Sequence, residues 1–599
     1  MTRSGDASGG AGHPAFLGVE HSLSRRRWVS RLSDERNALA LSQRLGLPEM
    51  VGRVLAARNV SLDEAESFLN PTLRDLLPDP GHLKDMDKAV ERLVQAVTSG
   101  ETIGIFGDYD VDGATSSALL HNVLDAVGAT VRVYIPDRIT EGYGPNAAAL
   151  ARLQAEGVGV VVTVDCGATA FEPLTAAQEA GLDMIVVDHH VGEAALPPAL
   201  AVINPNRLDE TSPHGHLAAV GVAFLLAVAL NRGLKQAGWY QTRPAPDLMR
   251  WLDLVALGTV CDVVPLVGVN RALVTQGLKV MAKRANVGLA ALADVAGIKE
   301  RPDSYQLGYI LGPRVNAGGR VGEAGLGTRL LSTHDPAEAA GIAQQLDGYN
   351  KDRQEIEAAM LLDAIEQVES RPDDGKPLLM VTGEGWHQGV IGIIAGRLKE
   401  RYGRATCVVA LDGDRGKGSG RSVTGLDLGA AIIAARQDGL LLAGGGHAMA
   451  AGFTVARDKL PQLHEFIAQR LQAQLDGELV PVLELDGALD AGAASVDLVE
   501  VLAQVGPFGS GNPEPRFAIT AARIVKADVV GNGHVRLILV GNGGKRLKAI
   551  AFRAADTEMG HALLSSQGGA FHLAGTLRID TWQGAANVQL IVDDAAPAR

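Results

Sequence analysis

Ile103-Gly104-Ile105-Phe106-Gly107-Asp108-Tyr109-Asp110-Val111-Asp112-Gly113 is the stretch on which the fold turns. A short β-prone apolar run ends in glycine, and aspartates follow at every second position. If the segment stays extended, alternation puts Asp108, Asp110 and Asp112 on one side. Like charges held together need a cation, and carboxylate oxygens suit hard divalent ions. An acidic turn after a strand is the plain alternative for an isolated Asp-x-Asp. Similar strand ends recur downstream, and that recurrence favours a metal.

From Thr102 the chain alternates strands and helices, as a parallel sheet requires. The strands are expected at Ile103–Phe106, Val131–Ile135, Val158–Val164, Met184–Val187 and Ala201–Ile203. Helices are expected at Ala114–Val127, from Asn146, at Glu172–Ala180, at Leu217–Leu230 and at Asp247–Leu257. Ligands of open α/β sheets lie beyond the carboxyl ends of the strands. Those ends offer Asp110 and Asp112, then Asp165 in Thr163-Val164-Asp165-Cys166-Gly167, then Asp188-His189-His190. After the Asp247 helix comes Asp262 in Gly258-Thr259-Val260-Cys261-Asp262. Four carboxylates with one or two imidazoles suit a pair of Mn²⁺ or Mg²⁺ ions ahead of zinc, and such a pair serves phosphoryl displacement. On extended backbone His189 and His190 face opposite ways, one to a metal and one to substrate or a neighbour. Cys166 and Cys261 read as core filler.

With 599 residues the chain should hold several domains. An apolar content of 46% with 21% charged residues describes a globular protein with ample core. The net charge of −14 does not advertise nucleic-acid binding, but a basic groove can lie on an acidic body. Three cysteines without paired spacing argue against a disulfide framework or zinc site and fit a reducing cytoplasm. The N-terminus is polar and glycine-rich through Gly12, and the 14-residue apolar run Leu217–Leu230 is short for a membrane span, so a soluble protein with no membrane partner is expected.

Residues up to about Arg27 read as an arm or as disordered; Ser24-Arg25-Arg26-Arg27-Trp28 could touch a phosphate backbone, but a solvated basic turn is the favoured reading. Ser61-Leu62-Asp63-Glu64 is a capping pattern opening a small helix. Glu338 to Ser370 reads as one long helix, stopped by Pro372-Asp373-Asp374-Gly375. A second α/β unit starts at Leu378 and carries a Gly416–Ser422 turn and a Gly444–Gly446 loop. Beyond Val480 five short β runs suggest a barrel of the OB type.

Asp188-His189-His190 with the Asp-x-Asp string resembles the DHH phosphoesterase superfamily, and the chain from about residue 100 is similar to its RecJ-type single-strand-specific 5′→3′ exonucleases. The motifs that carry the likeness are Gly107–Gly113, Pro136–Gly144, Gly312-Pro313-Arg314-Val315-Asn316-Ala317-Gly318-Gly319-Arg320, Gly444–Gly452 and Phe508-Gly509-Ser510-Gly511-Asn512-Pro513. The resemblance implies an α/β protein with a parallel-sheet DHH catalytic domain (100–335) after an N-terminal arm and small helical segment (1–99). A long connecting helix (336–375), a smaller DHHA1-like α/β domain (376–478) and an OB-fold β-barrel that binds DNA (479–599) would follow. It implies Asp110, Asp112, Asp165, His189 and Asp262 as ligands of two Mn²⁺ or Mg²⁺ ions, with His190 near the scissile phosphate. Some relatives have a histidine ligand where this chain has Phe106. The implied substrate is single-stranded DNA with a 5′ end, cut to 5′-mononucleotides in recombination and repair. Helicase and single-strand-binding partners are implied by resemblance alone.

Arg138, in a loop beyond the second strand, could grip a 5′-phosphate bidentately, against the alternative of a surface arginine. Ser419 and Arg421, in the glycine-rich turn, could hold the same phosphate. His447 projects from the Gly444–Gly446 loop, and Arg314 and Arg320 flank glycines that could line the strand's path. Residues 397–421 carry seven basic and three acidic side chains, a plausible groove floor. Two other readings stand beside the exonuclease. One is a small-molecule phosphoesterase, against which the barrel argues. The other is a metal-free DNA-binding scaffold, against which the intact carboxylates argue.

Overall fold

The computed structural model describes residues 14–372, 374–475, 480–566, 568–580 and 586–598. The glycine-rich segment through Gly12, and Asp373 in the helix stop, lie outside the described residues. The chain forms two compact units, Thr72–Leu475 and a discontinuous one of Met1–Pro71 with Asp476–Arg599. The sequence reading placed residues 72–99 with the N-terminal segment. They instead pack into the sheet unit, where Leu93, Ala96 and Val97 of helix Met86–Ser99 enter its core.

The first sheet has five parallel strands in the order Val131–Tyr134, Thr102–Gly107, Val158–Val164, Asp183–Val187, Ala201–Ile203. The valine-rich strand 158–164 is buried on both faces, so it reads as one apolar run rather than an alternation. Helix Ala219–Gln236 passes a length-and-composition test for a membrane span, yet 67% of it is buried in this core. Burial on all sides explains its apolarity, as the sequence suggested.

Two elements differ from the extended reading. The first strand ends at Gly107, and helix Val111–Ala126 begins with Asp110 as its cap, the Asp110 carboxylate accepting from Gly113 N at 3.0 Å. A capping aspartate satisfies an orphan N–H of the first turn, which outweighs continued extension. Asp108, Asp110 and Asp112 therefore do not alternate along a strand. Likewise Gly258–Cys261 belong to helix Leu252–Cys261, and Asp262 caps its C-terminus. An apolar run buried all round looks the same as helix or strand in sequence.

Helix Pro336–Glu369, capped by Asp335, leads to a second sheet ordered Ala443–His447, Ala450–Ala456, Arg415–Arg421, Ala405–Asp412, Leu378–Glu384. The Gly416–Ser422 stretch is thus mostly a strand rather than a turn, and Gly444–Gly446 lies in the outermost strand rather than a loop. The glycines are needed for close packing: side chains at Gly418 or Gly420 would run into the Phe453 ring and Leu428.

In the other unit, strands Gly487–Leu489, Arg516–Val530, His534–Val540, Arg546–Ala551, Asn587–Pro597 and Ala570–Asp580 follow one another. The pairing of 516–530 with 570–580 closes five of them into a barrel. Strand Arg27–Ser30 pairs in parallel with Val482–Leu485. Trp28 is fully buried there and donates from Nε1 to Asp594 Oδ2 at 2.9 Å. The described part of the expected arm is therefore built into this unit, and Arg27 of the basic turn pairs with Glu20. Ser61 and Glu64 make the expected reciprocal bonds, which close the turn ahead of helix Ala65–Leu69 rather than its first helical turn.

Candidate active site

The Asp110 cap and the first helical turn bring two carboxylates forward. Asp112 is buried and accepts from Ala219 N (2.7 Å) and Val220 N (2.9 Å), so it also caps the buried helix. Asp165 follows the valine strand with φ +60, a left-handed backbone that turns its carboxylate back over the strand ends. Helix 252–261 meets helix 111–126 at Gly258, where any side chain would collide with Thr115, and that close crossing delivers Asp262.

The groups converge. His189 Nε2 lies 3.3 Å from Asp165 Oδ1 and 4.0 Å from Asp112, and Nδ1 lies 3.6 Å from Asp262 Oδ2. Three sets have all their ligand atoms within 4.8 Å of one another: Asp108, Asp110 and Asp165; Asp112, His189 and Asp262; Asp165, His189 and His190. The two histidines do not face opposite ways. The strand ends at Val187, and their rings lie 4.5 Å apart between centroids. The Cys166 and Cys261 thiols are turned toward backbone carbonyls of Val164 (3.4 Å) and Leu307 (3.4 Å). Phe106 is buried in an apolar cluster, its ring stacked on Tyr134 at 5.4 Å.

Burial, then the charge of Asp110, pushes the Asp112 carboxyl up to about 7. Burial, then Asp112 and Asp110, pushes Asp262 up to about 9. Asp108 and Asp165 are also raised, first by burial and then by Asp110. Burial, then His190, lowers His189 to about 4, which keeps it neutral and able to ligate. Asp108 Oδ1, His189 Nε2 and Asp262 Oδ2 are buried without a hydrogen-bond partner. Buried carboxylates raised by one another, with donor atoms left open, fit divalent cations.

Asp188 is the organiser that the sequence reading left unassigned. Its Oδ1 accepts from His189 N (2.7 Å), His190 N (3.1 Å) and His190 Nδ1 (2.7 Å), and Oδ2 accepts from Ala168 N (2.9 Å). Burial opposes a charged His190, but this bond and the Asp188 charge raise its pKa above the ordinary value. Asn204 and Asn206 donate to the carbonyls of His190 (2.8 Å) and His189 (2.5 Å), and Tyr143 Oη donates to the Asp165 carbonyl at 2.9 Å. The Asn204-Pro205-Asn206 turn after the last strand was the available signal for that clamp.

Basic groups surround the cluster. Arg138 lies over the Tyr109 ring at 5.1 Å. Arg320 donates to the Gly389 carbonyl at 3.0 Å, and burial, then Arg138 and Arg353, lowers it to about 10. Burial, then Arg138, also lowers Arg421 and His387. Arg421 Nη1 reaches Ser419 Oγ at 3.4 Å. Arg138, Arg320 and Arg421 thus share one field, with Arg353 and His387 as additions that the sequence did not single out. Arg314 differs: it is held by Asp347 (2.9 Å) and the Ile310 carbonyl (2.7 Å). His447 is exposed on the outermost strand. The expected basic floor is partly neutralised, since Arg397, Arg401 and Arg404 pair with Glu357, Glu369 and Asp374.

Comparison with known proteins gives three family matches: the DHH family N-terminal domain over residues 102–259, the DHHA1 domain over 375–473 and the RecJ OB domain over 485–594. The chain is 38% identical over 570 residues to a single-stranded-DNA-specific exonuclease RecJ of Dickeya dadantii, covering 92% of this chain and 96% of that one. It is 36% identical to the Escherichia coli protein of the same description, with the same coverage of each. Among solved structures, RecJ of Thermus thermophilus in complex with Mn²⁺ superposes with a TM-score of 0.80 at 30% identity, covering 96% of this chain and 80% of that one. The Mg²⁺ complex gives 0.75 at 29%, covering 96% and 79%.

Proposed function

This chain belongs to the RecJ family of single-stranded-DNA-specific exonucleases, and from that premise we propose that it hydrolyses single-stranded DNA from the 5′ end to 5′-mononucleotides. The observation that carries the reading is the convergence of Asp110, Asp112, Asp165, His189 and Asp262 beside a field of arginines. The five residues would hold two Mn²⁺ or Mg²⁺ ions, and Asp108 is close enough to Asp110 and Asp165 to join them. Bound there, such ions supply Lewis acidity to a phosphodiester and a water nucleophile at neutral pH.

The remaining steps belong to the side chains. His190, whose charged form Asp188 favours, donates from its ring to a non-bridging phosphate oxygen. Arg138, Ser419 and Arg421 grip a terminal 5′-phosphate, and that grip sets the polarity of digestion. Half-buried Arg320 adds positive field without needing to reach the phosphate. Arg314 positions helix 312–321 through Asp347 rather than touching DNA. The OB barrel holds single strand on its own surface. Work in recombination and repair, in the cytoplasm and alongside a helicase and a single-strand-binding protein, belongs to the same proposal.

The test is digestion of 5′- and 3′-labelled single strands with Mn²⁺. Release of the 5′ label first, with duplex resistant, is expected. Release from the 3′ end, or equal attack on duplex, refutes the reading. Asp165→Ala should abolish turnover while the circular dichroism spectrum and melting remain those of a folded protein.

A further inference from the structure

Tyr305 and Tyr309 are 50% and 74% exposed, and their rings stack on each other with centroids 5.1 Å apart and planes 26° from parallel. In a chain with only 4% aromatic residues, two stacked tyrosines left at the surface are an expense of solubility without any gain in core. They sit on a helical run, Ser304–Gln306 and Gly312–Val321, joined by one π-helical turn at Leu307–Leu311. Such a turn is rare and weaker than an α-turn, and it sets residues four apart nearly above one another. The π-turn carries Tyr309, and its four-residue spacing from Tyr305 puts both rings on one face, as it would in an α-helix.

The run is anchored to the metal-binding end of helix 252–261. Cys261 Sγ lies 3.4 Å from the Leu307 carbonyl, and Gly312 has no room for a side chain because Cys261 Sγ fills it. Asp262 is the next residue after Cys261. Val263 follows, 69% exposed and with φ +61, a conformation that costs a β-branched residue strain and is found mostly where function demands it. The run that bears the tyrosines therefore packs, through Leu307 and Gly312, on the helix end that carries Asp262.

We propose that Tyr305 and Tyr309 form a stacking platform for nucleobases of the single strand being digested. The inference rests on the exonuclease reading and assigns the base contact that the arginines, which bind phosphate, do not provide. A flat π surface accepts any base, so the platform grips without sequence preference. It also favours single strands over duplex, whose bases are already stacked on both faces by their neighbours.

The experiment uses the full-length Mn²⁺-loaded enzyme with 5′-phosphorylated oligothymidylate. Tyr309→Ala and the double Ala variant should raise KM by roughly 5- to 150-fold, the range that loss of one base–aromatic stack allows. The kcat at saturation should stay unchanged, and Tyr309→Trp should restore KM. Strands carrying one abasic residue, moved stepwise from the 5′ end, should show one position where wild type falls to the level of the Ala variant. An unchanged KM for the double variant in an active, normally melting enzyme overturns the platform. So does a loss that is the same whichever position is abasic. Failure of the wild type to digest single strands at all would instead overturn the exonuclease reading.

Discussion

Asp188→Asn is a one-atom change whose consequence follows from the four bonds this carboxylate accepts. Oδ1 takes three of them, from His189 N, His190 N and His190 Nδ1, while Oδ2 takes the Ala168 N–H. The best placement of the amide keeps its oxygen toward the histidines and sets its NH₂ against the Ala168 N–H, where two donors meet. A bond to a charged partner contributes about 1.5–3 kcal/mol, and a stranded buried donor costs about 1–3 kcal/mol. His190's side chain is 41% exposed, so solvent screens its share of the pair and the lower end applies. About 1.5 kcal/mol corresponds to a loss of roughly tenfold in kcat/KM, beside a stability loss of about 1–3 kcal/mol from Ala168. The sign of the pH effect is fixed too. Asp188 raises the His190 pKa, so replacing it lowers that pKa, and activity that needs protonated His190 is lost at lower pH on the alkaline side. The assays are the pH profile of kcat/KM and an NMR titration of His190 in metal-free protein. A profile whose alkaline limb stays in place while activity falls would refute the orienting role of Asp188.

Three further outcomes are expected. Asp253 is fully buried and burial raises its carboxyl to about 7, so its stabilising protonated form is complete below about pH 4 and lost as pH rises through 7. Asp253→Asn should therefore stabilise the sheet unit at pH 8 by up to about 4 kcal/mol in urea unfolding, and the gain should vanish toward pH 4. A side chain at Gly389 would strike the Arg320 carbonyl, so Gly389→Ala should cost about 1–3 kcal/mol in melting experiments and raise KM by parting helix 312–321 from its neighbour. Chelation should abolish activity. Mn²⁺ restored at a hundredfold over its Kd should stabilise the fold by about 2.7 kcal/mol, and Asp165→Ala should lose that stabilisation.

The parallel sheet was legible because its strands are continuous valine and isoleucine runs: Val158–Val164 and Ala201–Ile203 match residue for residue. The acidic and histidine residues that cluster were legible as types, while the backbone carrying them was not. Asp110 and Asp262 act as helix caps, and a cap cannot be told from a strand end when the neighbouring helix is buried all round and shows no polar face. The glycines of 416–420 look like a turn because sequence does not reveal that Phe453 and Leu428 occupy the space of their missing side chains. Arg314 could not be separated from Arg320 in a motif that contains both, since the difference lies in Asp347, 33 residues further on. Trp28 looked like the end of a solvated basic turn because its strand partner, Val482–Leu485, is far away in the chain.

That last pairing bears on synthesis. At about 5–20 residues per second, a ribosome that has released Trp28 needs on the order of half a minute or more before Leu483 emerges to pair with it. Throughout that interval the intervening sheet unit can fold to completion, whereas an indole destined for burial waits in water. Chaperone demand on a nascent chain of this kind should therefore centre on its first seventy residues.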